Sequence, residues 1–344
     1  MESRIPHSNQ LNHLSKAVLL LFISLPLFGF SLPTQKQEFT QHIVDYIINN
    51  HYDSAFSIID DASNNQKDPL FDVFKLVTIG LRDVDFEKTI DSAFFLTTFK
   101  KSISSISNWE NVHGASSYSH MLSGMSMLIH ASFFLKQKKY FSSMQNVFDA
   151  LDLLKEAQKA DSTNYEIDLF LGLYEYARAE LRSRLWWVLF WYPGNRQNGI
   201  NRVVRSAQKA IVIDEAAKLS LCDIYIQEKQ YEKAKQYLTQ LKKKYPSSRF
   251  VLWAEVKYFE AEKDYESAAS VYSHLASQYK IEEMGEYNYI FTKYKQAEML
   301  YRADKLHEVQ DICDNLLKNN NVTNYKKLKR DINKLAERCH ASNN

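Results

Sequence analysis

The sequence predicts an all-α protein, a solenoid of antiparallel helix pairs. Three observations carry that expectation. Helix breakers are scarce, with 8 glycines and 6 prolines in 344 residues. Residues 215–246 hold two amphipathic helical patterns joined by three polar residues. The small-residue positions of that stretch then return 34 residues further on, from Cys222 to Val256 and from Ala234 to Ala268.

In residues 215–246, apolar or small side chains recur at Leu221, Cys222 and Tyr225, then at Tyr231, Ala234, Leu238 and Leu241. Steps of three and four place each set on one face of a helix. Glu228-Lys229-Gln230 is the hinge, so the stretch reads as an αα-hairpin. One hairpin cannot bury both of its faces and needs neighbours on either side.

Cys222, Tyr225, Ala234 and Pro246 follow the spacing of a small residue, a tyrosine, an alanine and a closing proline. In these residues the unit resembles a tetratricopeptide repeat (TPR). Lys218 stands where that family has its leading tryptophan, and Cys222 where it usually has glycine. The resemblance implies a right-handed superhelical solenoid whose first helices line a concave groove. Residues 39–62 repeat the logic in degenerate form, with Ile43, Tyr46, Ala55 and Ile59 matching Cys222, Tyr225, Ala234 and Leu238. A further unit carries Ala297, Leu300, Leu306, Val309, Cys313 and Leu316, after about seven inserted residues near 282–287.

Taken in order, the chain divides into a signal segment (1–31), degenerate helical repeats (32–112) and a TPR-like solenoid (113–344). The signal reading rests on Arg4 and Lys16, the apolar run 17–28, and the small residues Gly29 and Ser31. Twelve apolar residues are short for a spanning helix, so a mature chain starting near Leu32 is expected, not transmembrane. The implied location is periplasmic or cell envelope in a bacterium, and secreted otherwise.

Residues 70–81 and 86–106 read as a helix pair after Pro69, which suits a helix's first turn. Residues 108–114 read as a break. Residues 115–135 form a helix rich in serine, with Gly124 and three methionines. Small side chains there let helices approach closely. His120, Met121, Met125, Met127 and His130 are types that ligate soft metals. Their spacing scatters them over several faces, so the methionines read as core filler. Helices follow over 140–160, 165–181 and 199–213. Between the last two, an aromatic insertion (182–198) holds Trp186, Trp187 and Trp191. Helical spacing expects Trp187 and Trp191 buried and Trp186 exposed beside Arg182. A capping helix (324–340) closes the chain, with apolar residues at 325, 328, 332, 335 and 339 and basic residues elsewhere.

Charge is nearly balanced, Lys+Arg 43 against Asp+Glu 41, which gives no general attraction to nucleic acid or to an acidic membrane. Cys222, Cys313 and Cys339 are odd in number and irregular in spacing, so no disulfide framework is expected. Motifs that would carry chemistry fail. The glycines of 194–199 are followed by Ile200-Asn201 and not by Lys-Ser/Thr. His307-Glu308 meets Asp311 where a zinc protease needs histidine. Gly124-Met125-Ser126 lacks the closing glycine of a hydrolase elbow. No catalytic residue, cofactor or metal site is expected, and an enzyme is the least favoured class.

The resemblance places Asp223, Ile226, Trp253, Lys257, Glu260, Tyr294, Glu298, Tyr301 and Arg302 on the groove. Aromatic anchors among mixed charges suit a protein or peptide partner. Leu219, Trp253 and Tyr294 occupy the lysine position of the family's clamp for C-terminal carboxylates, which speaks against that ligand class. The expected function is therefore a non-catalytic scaffold binding a partner through the groove and the aromatic patch Trp186, Trp187 and Trp191. The alternative is a small-molecule or lipid binder using that insertion together with helix 115–135; the exposed aromatic patch also suits contact with a membrane interface.

Overall fold

A computed structural model of the chain describes residues 34–87, 91–184 and 195–342. Among these the fold is all-α, with fifteen α-helices and one short 3-10 turn at Asn320–Asn324. The helices are α1 (Thr34–Ile48), α2 (Tyr52–Asn65), α3 (Pro69–Asp85), α4 (Ser92–His113), α5 (Ser117–Lys136), α6 (Tyr140–Ala160), α7 (Glu166–Arg184) and α8 (Arg196–Lys209). They continue as α9 (Asp214–Gln227), α10 (Tyr231–Lys244), α11 (Arg249–Glu262), α12 (Tyr265–Lys280), α13 (Glu286–Arg302), α14 (Leu306–Lys318) and α15 (Lys326–Ser342). Most helices adjacent in sequence pack on one another, and α13 also meets α15. That neighbour-on-neighbour order is repeat-like. None of the described helices is long and apolar enough to cross a membrane.

The repeat is written in the turns. Asn50, Lys138, Lys229, Lys263 and Asp304 all have positive φ, and each ends the first helix of a hairpin. The next residue's N–H reaches back five residues every time. His51 bonds Tyr46 at 2.8 Å, Lys139 bonds Phe134 at 2.9 Å and Gln230 bonds Tyr225 at 2.8 Å. Asp264 bonds Phe259 at 2.9 Å, and Lys305 bonds Leu300 at 2.9 Å. This is the Schellman ending of a helix, which satisfies its last carbonyls. The five turns put Tyr46 opposite Tyr225 and Ala55 opposite Ala234, the register the sequence gives for residues 39–62. They add α5–α6 to the series, with Ala131 at the Cys222 position and Ser143 at the Ala234 position. Ser143 donates to the Ala131 carbonyl at 2.8 Å, and Cys222 contacts the Ala234 carbonyl at 3.8 Å.

Small residues sit where helices cross. Ala55, Ala234 and Ala268 are fully buried. A side chain at Gly199 would meet the Tyr176 amide nitrogen at 2.6 Å and the Gly172 carbonyl at 2.8 Å, so α7 and α8 touch backbone to backbone. Gly124 of α5 faces Leu154 and the Ala150 carbonyl of α6 in a looser version of the same contact. Met121 and Met125 are buried on α5.

The helix expected over 86–106 and the break over 108–114 are corrected at both ends. The chain turns at Phe86 and Glu87, and Asp91 caps α4 by accepting the Ala93 N–H at 2.8 Å. Helix α4 then runs through 108–113 and stops at Gly114, whose φ of 80 suits glycine. Ser116 and Ser119 cap α5 reciprocally.

Packing divides the described residues into two compact units. The first runs to Val84 and from 91 to Leu221; the second holds 85–87 and the chain from Cys222 onward. The division falls inside α9, whereas the sequence reading sets its internal border at 112/113, where Gly114 interrupts the helical pattern.

In the first unit two buried carboxylates pin loops and helices. Glu166 accepts the N–H groups of Ile211 (2.8 Å), Val212 (3.3 Å) and Ile213 (3.3 Å), holding the approach to α9. Asp168 on α7 accepts from Arg202 at 2.8 Å and from Arg205 at 2.7 Å, both on α8. In the second unit α15 caps the stack, with Leu328, Ile332, Leu335 and Cys339 buried and Lys326, Lys327, Arg330, Lys334 and Arg338 exposed.

Candidate functional site

The candidate surface belongs to the second unit and is built by α9, α11 and α13. Residues four and three apart share a helix face. Trp253, Lys257 and Glu260 are so spaced on α11, and Tyr294, Glu298 and Tyr301 on α13.

Side-chain contacts join these faces. Lys257 Nζ lies 2.7 and 2.9 Å from the two carboxylate oxygens of Asp223, linking α11 to α9. The Asp223 side chain is buried while Lys257 is 39% exposed, so the lysine covers the acid and presents its stem outward. Trp253 packs at 6.3 Å from Phe291, linking α11 to α13. Beneath them lies Tyr272 of α12. It meets Trp253 edge to face at 5.9 Å and donates its hydroxyl to Glu260 at 2.7 Å. Lys295 of α13 stands 6.0 Å over the Tyr272 ring and 2.6 Å from Glu298. Glu298 also accepts the Tyr294 hydroxyl at 2.9 Å. The α11 and α13 positions thus converge on one buried ring.

The remaining members lie at the edges. Ile226 is half-buried on α9. Tyr301 is half-buried and makes no side-chain hydrogen bond to a described residue. Arg302 is exposed and sits 5.6 Å from the Tyr265 ring. Tyr287 extends the aromatic strip, stacked on Phe291 at 6.0 Å and edge-on to Tyr325 at 5.1 Å.

A second set of residues holds the surface from below. Trp253 Nε1 donates to the Tyr279 hydroxyl at 3.0 Å, and that hydroxyl donates to the Asp85 carboxylate at 2.9 Å. Arg249 grips the same carboxylate, Nε at 2.9 Å and Nη2 at 2.6 Å, and reaches Glu282 at 2.8 Å with Nη1. Asn288 donates to the Asp85 carbonyl at 2.7 Å. The guanidinium lies 5.0 Å over Phe86 and 5.2 Å from the Tyr279 ring. Sequence reasoning missed this anchor. Arg249 and Asp85 are 164 residues apart, and no repeat period connects them. The available signal was an arginine just after the Ser248 cap, in a helix turn that otherwise faces inward.

Burial sets the chemistry of the phenols. It raises the Tyr272 hydroxyl well above its ordinary value, and the negative charge of Glu260 adds to this. Burial and then Asp85 do the same for Tyr279, and burial and then Glu298 for Tyr294. These groups stay protonated and donate. The carboxylates Asp223, Glu260 and Glu298 are each engaged internally. What faces outward is aromatic edge, the Tyr301 phenol and the Arg302 guanidinium, which suits recognition by contact and hydrogen bonding.

In the first unit an open cleft of about 370 Å³ lies along α4 and α5, with Phe99 and Ile103 on one side and Met127 on the other. Phe99 stacks on His130 at 4.0 Å, and His130 Nδ1 meets Asn146 at 2.9 Å. Burial holds the His130 imidazole below its ordinary pKa. The aromatic patch Trp186, Trp187 and Trp191, like the signal segment 1–31, lies outside the described residues.

The class defined so far is an all-helical, repeat-like protein with an aromatic face on its second unit. No family model matches the chain, and no curated protein matches it.

Proposed function

We propose that this chain is a non-catalytic protein-interaction scaffold of the cell envelope, and that the α9–α11–α13 face of its second unit holds the partner. The observation that carries the reading is the continuity of that face. Asp223–Lys257 bridges α9 to α11, and Trp253, Tyr272 and Phe291 bridge α11 to α13. A rigid, half-exposed aromatic strip, with its carboxylates already engaged, gives up little entropy when a partner docks. Export rests on the signal-like residues 1–31 of the sequence, with their basic residues, short apolar run and small residues at the end.

The test is affinity purification from envelope extract with the wild type and with the double change Tyr301→Ala, Arg302→Ala. Both side chains lie at the edge of the face, so the fold should be unaffected. A stoichiometric protein partner lost in the variant supports the reading. The same protein retained at the same yield contradicts it. A second reading, a small-molecule or lipid binder, draws its support from the α4–α5 cleft, which includes Met127 of the small-residue helix. Co-purified lipid displaced by Met127→Trp would favour it.

A further inference from the structure

The α5–α6 hairpin turns through Lys136-Gln137-Lys138-Lys139, and its outer face then carries an apolar stripe. On α6, Tyr140 is 60% exposed, Phe141 76%, Met144 49% and Phe148 44%. Steps of three and four put Phe141, Met144 and Phe148 on one side of the helix, with Tyr140 beside them. Single exposed apolar residues are ordinary, but a contiguous row of four is not.

Along the chain, the charge beside this row is one-sided. The sequence has no Asp or Glu between Glu110 and Asp149, a stretch that spans all of α5, the turn and the first two turns of α6. Lys136 is committed to Asp83, at 2.8 Å. Lys138 and Lys139 are exposed, and Lys139 Nζ lies 5.7 Å from the Phe134 ring, over the aromatic end of α5. Acids return only at Asp149 and Asp152, beyond the last aromatic. The tip is therefore cationic and aromatic, whereas beyond Phe148 both signs return, Asp149, Asp152 and Glu156 against Lys155 and Lys159, with Asp152 paired to Lys155 at 2.8 Å.

From this polarity we infer that the α5–α6 tip contacts an anionic lipid surface. Lys138 and Lys139 meet the headgroup phosphates. Tyr140 and Phe141 enter the boundary between headgroups and acyl chains, where amphipathic aromatic rings are favoured. Met144 and Phe148 lie along the surface, about 4.5 and 10 Å from Phe141 at the helical rise. This contact is in the first unit and does not depend on the partner face of the second.

The test uses the full chain with Phe141→Cys labelled by an environment-sensitive fluorophore. Cys222, Cys313 and Cys339 are fully buried, so the dye reports on position 141 alone. Vesicles of phosphatidylcholine with phosphatidylglycerol are compared with phosphatidylcholine alone. The expected result is a blue shift and rise in emission with the anionic vesicles and little change with neutral ones. Lys138→Gln and Lys139→Gln, both exposed, should each weaken the apparent vesicle affinity about fivefold. No response to anionic vesicles overturns the inference. So does an equal response to both vesicles that the lysine changes leave untouched. A response to protein concentration without lipid also overturns it, by assigning the stripe to a second copy of the chain.

Discussion

Gly199→Ala is expected to destabilise the first unit although alanine is the better helix former. The added Cβ would lie 2.6 Å from the Tyr176 amide nitrogen, 2.8 Å from the Gly172 carbonyl oxygen and 3.1 Å from the Tyr176 Cα. All three atoms are backbone, so no rotamer change relieves the contact. Helices α7 and α8 must part, and the buried Ile200 and Val203 lose packing with them. Overpacking of this kind costs about 1–3 kcal/mol. The gain from replacing glycine inside a helix is about 1 kcal/mol. A backbone contact of 2.6 Å belongs at the upper end of that range, so the net loss should approach about 2 kcal/mol, and each kcal/mol lowers Tm by roughly 2–4 °C for a unit of this size. Gly124→Ala is the control. Two of its three nearest atoms belong to the Leu154 side chain, which can move, so a smaller loss is expected. Thermal melts followed by circular dichroism measure both. A Tm for Gly199→Ala equal to or above wild type would refute the backbone-to-backbone crossing.

Three further outcomes are expected. Arg249→Met leaves the buried Asp85 carboxylate without its fork and should cost about 3–5 kcal/mol in urea unfolding, part of it recovered by adding Asp85→Ala; a loss within error of zero would show that the anchor is dispensable. Burial holds the Glu166 carboxyl well above its ordinary range, against the pull of three N–H groups. With the folded pKa above the unfolded one, its stabilising share is complete below the ordinary carboxylate pKa and fades as pH rises through the raised value. Glu166→Gln cannot ionise, so urea midpoints across that window should lose this decline; an unchanged slope would contradict the assignment. The three thiols should resist a disulfide reagent in the native state, since all are fully buried and burial pushes the Cys313 thiol up to about 12. Prompt reaction of any of them would contradict the burial.

The fold was legible where apolar spacing repeats. Residues 215–246 gave α9 and α10, and the Ala234 to Ala268 period gave α11 and α12, because one small residue per crossing is a strict packing demand. The α5–α6 hairpin hid its membership. Phe134 stands at the tyrosine position and Ser143 replaces the alanine, so only backbone geometry reveals the register. The 86–106 boundary went astray because Phe86 looks like the start of an apolar helix, while its ring is needed against Arg249 and Tyr279. Of the candidate face, single positions such as Trp253 and Glu260 could be chosen from the repeat register. Their convergence on Tyr272, and the Asp85–Arg249 anchor under them, could not, since both depend on side chains brought together by tertiary packing.

The central claim is that a protein partner docks on the α9–α11–α13 face. The most direct measurement is site-specific photo-crosslinking in the native cell. A benzophenone amino acid is placed at Tyr301 on that face, and at the exposed Lys235 on α10 as the control. The account expects a discrete protein adduct from position 301 and none from position 235. No adduct at 301, or equal adducts at both positions, would contradict it.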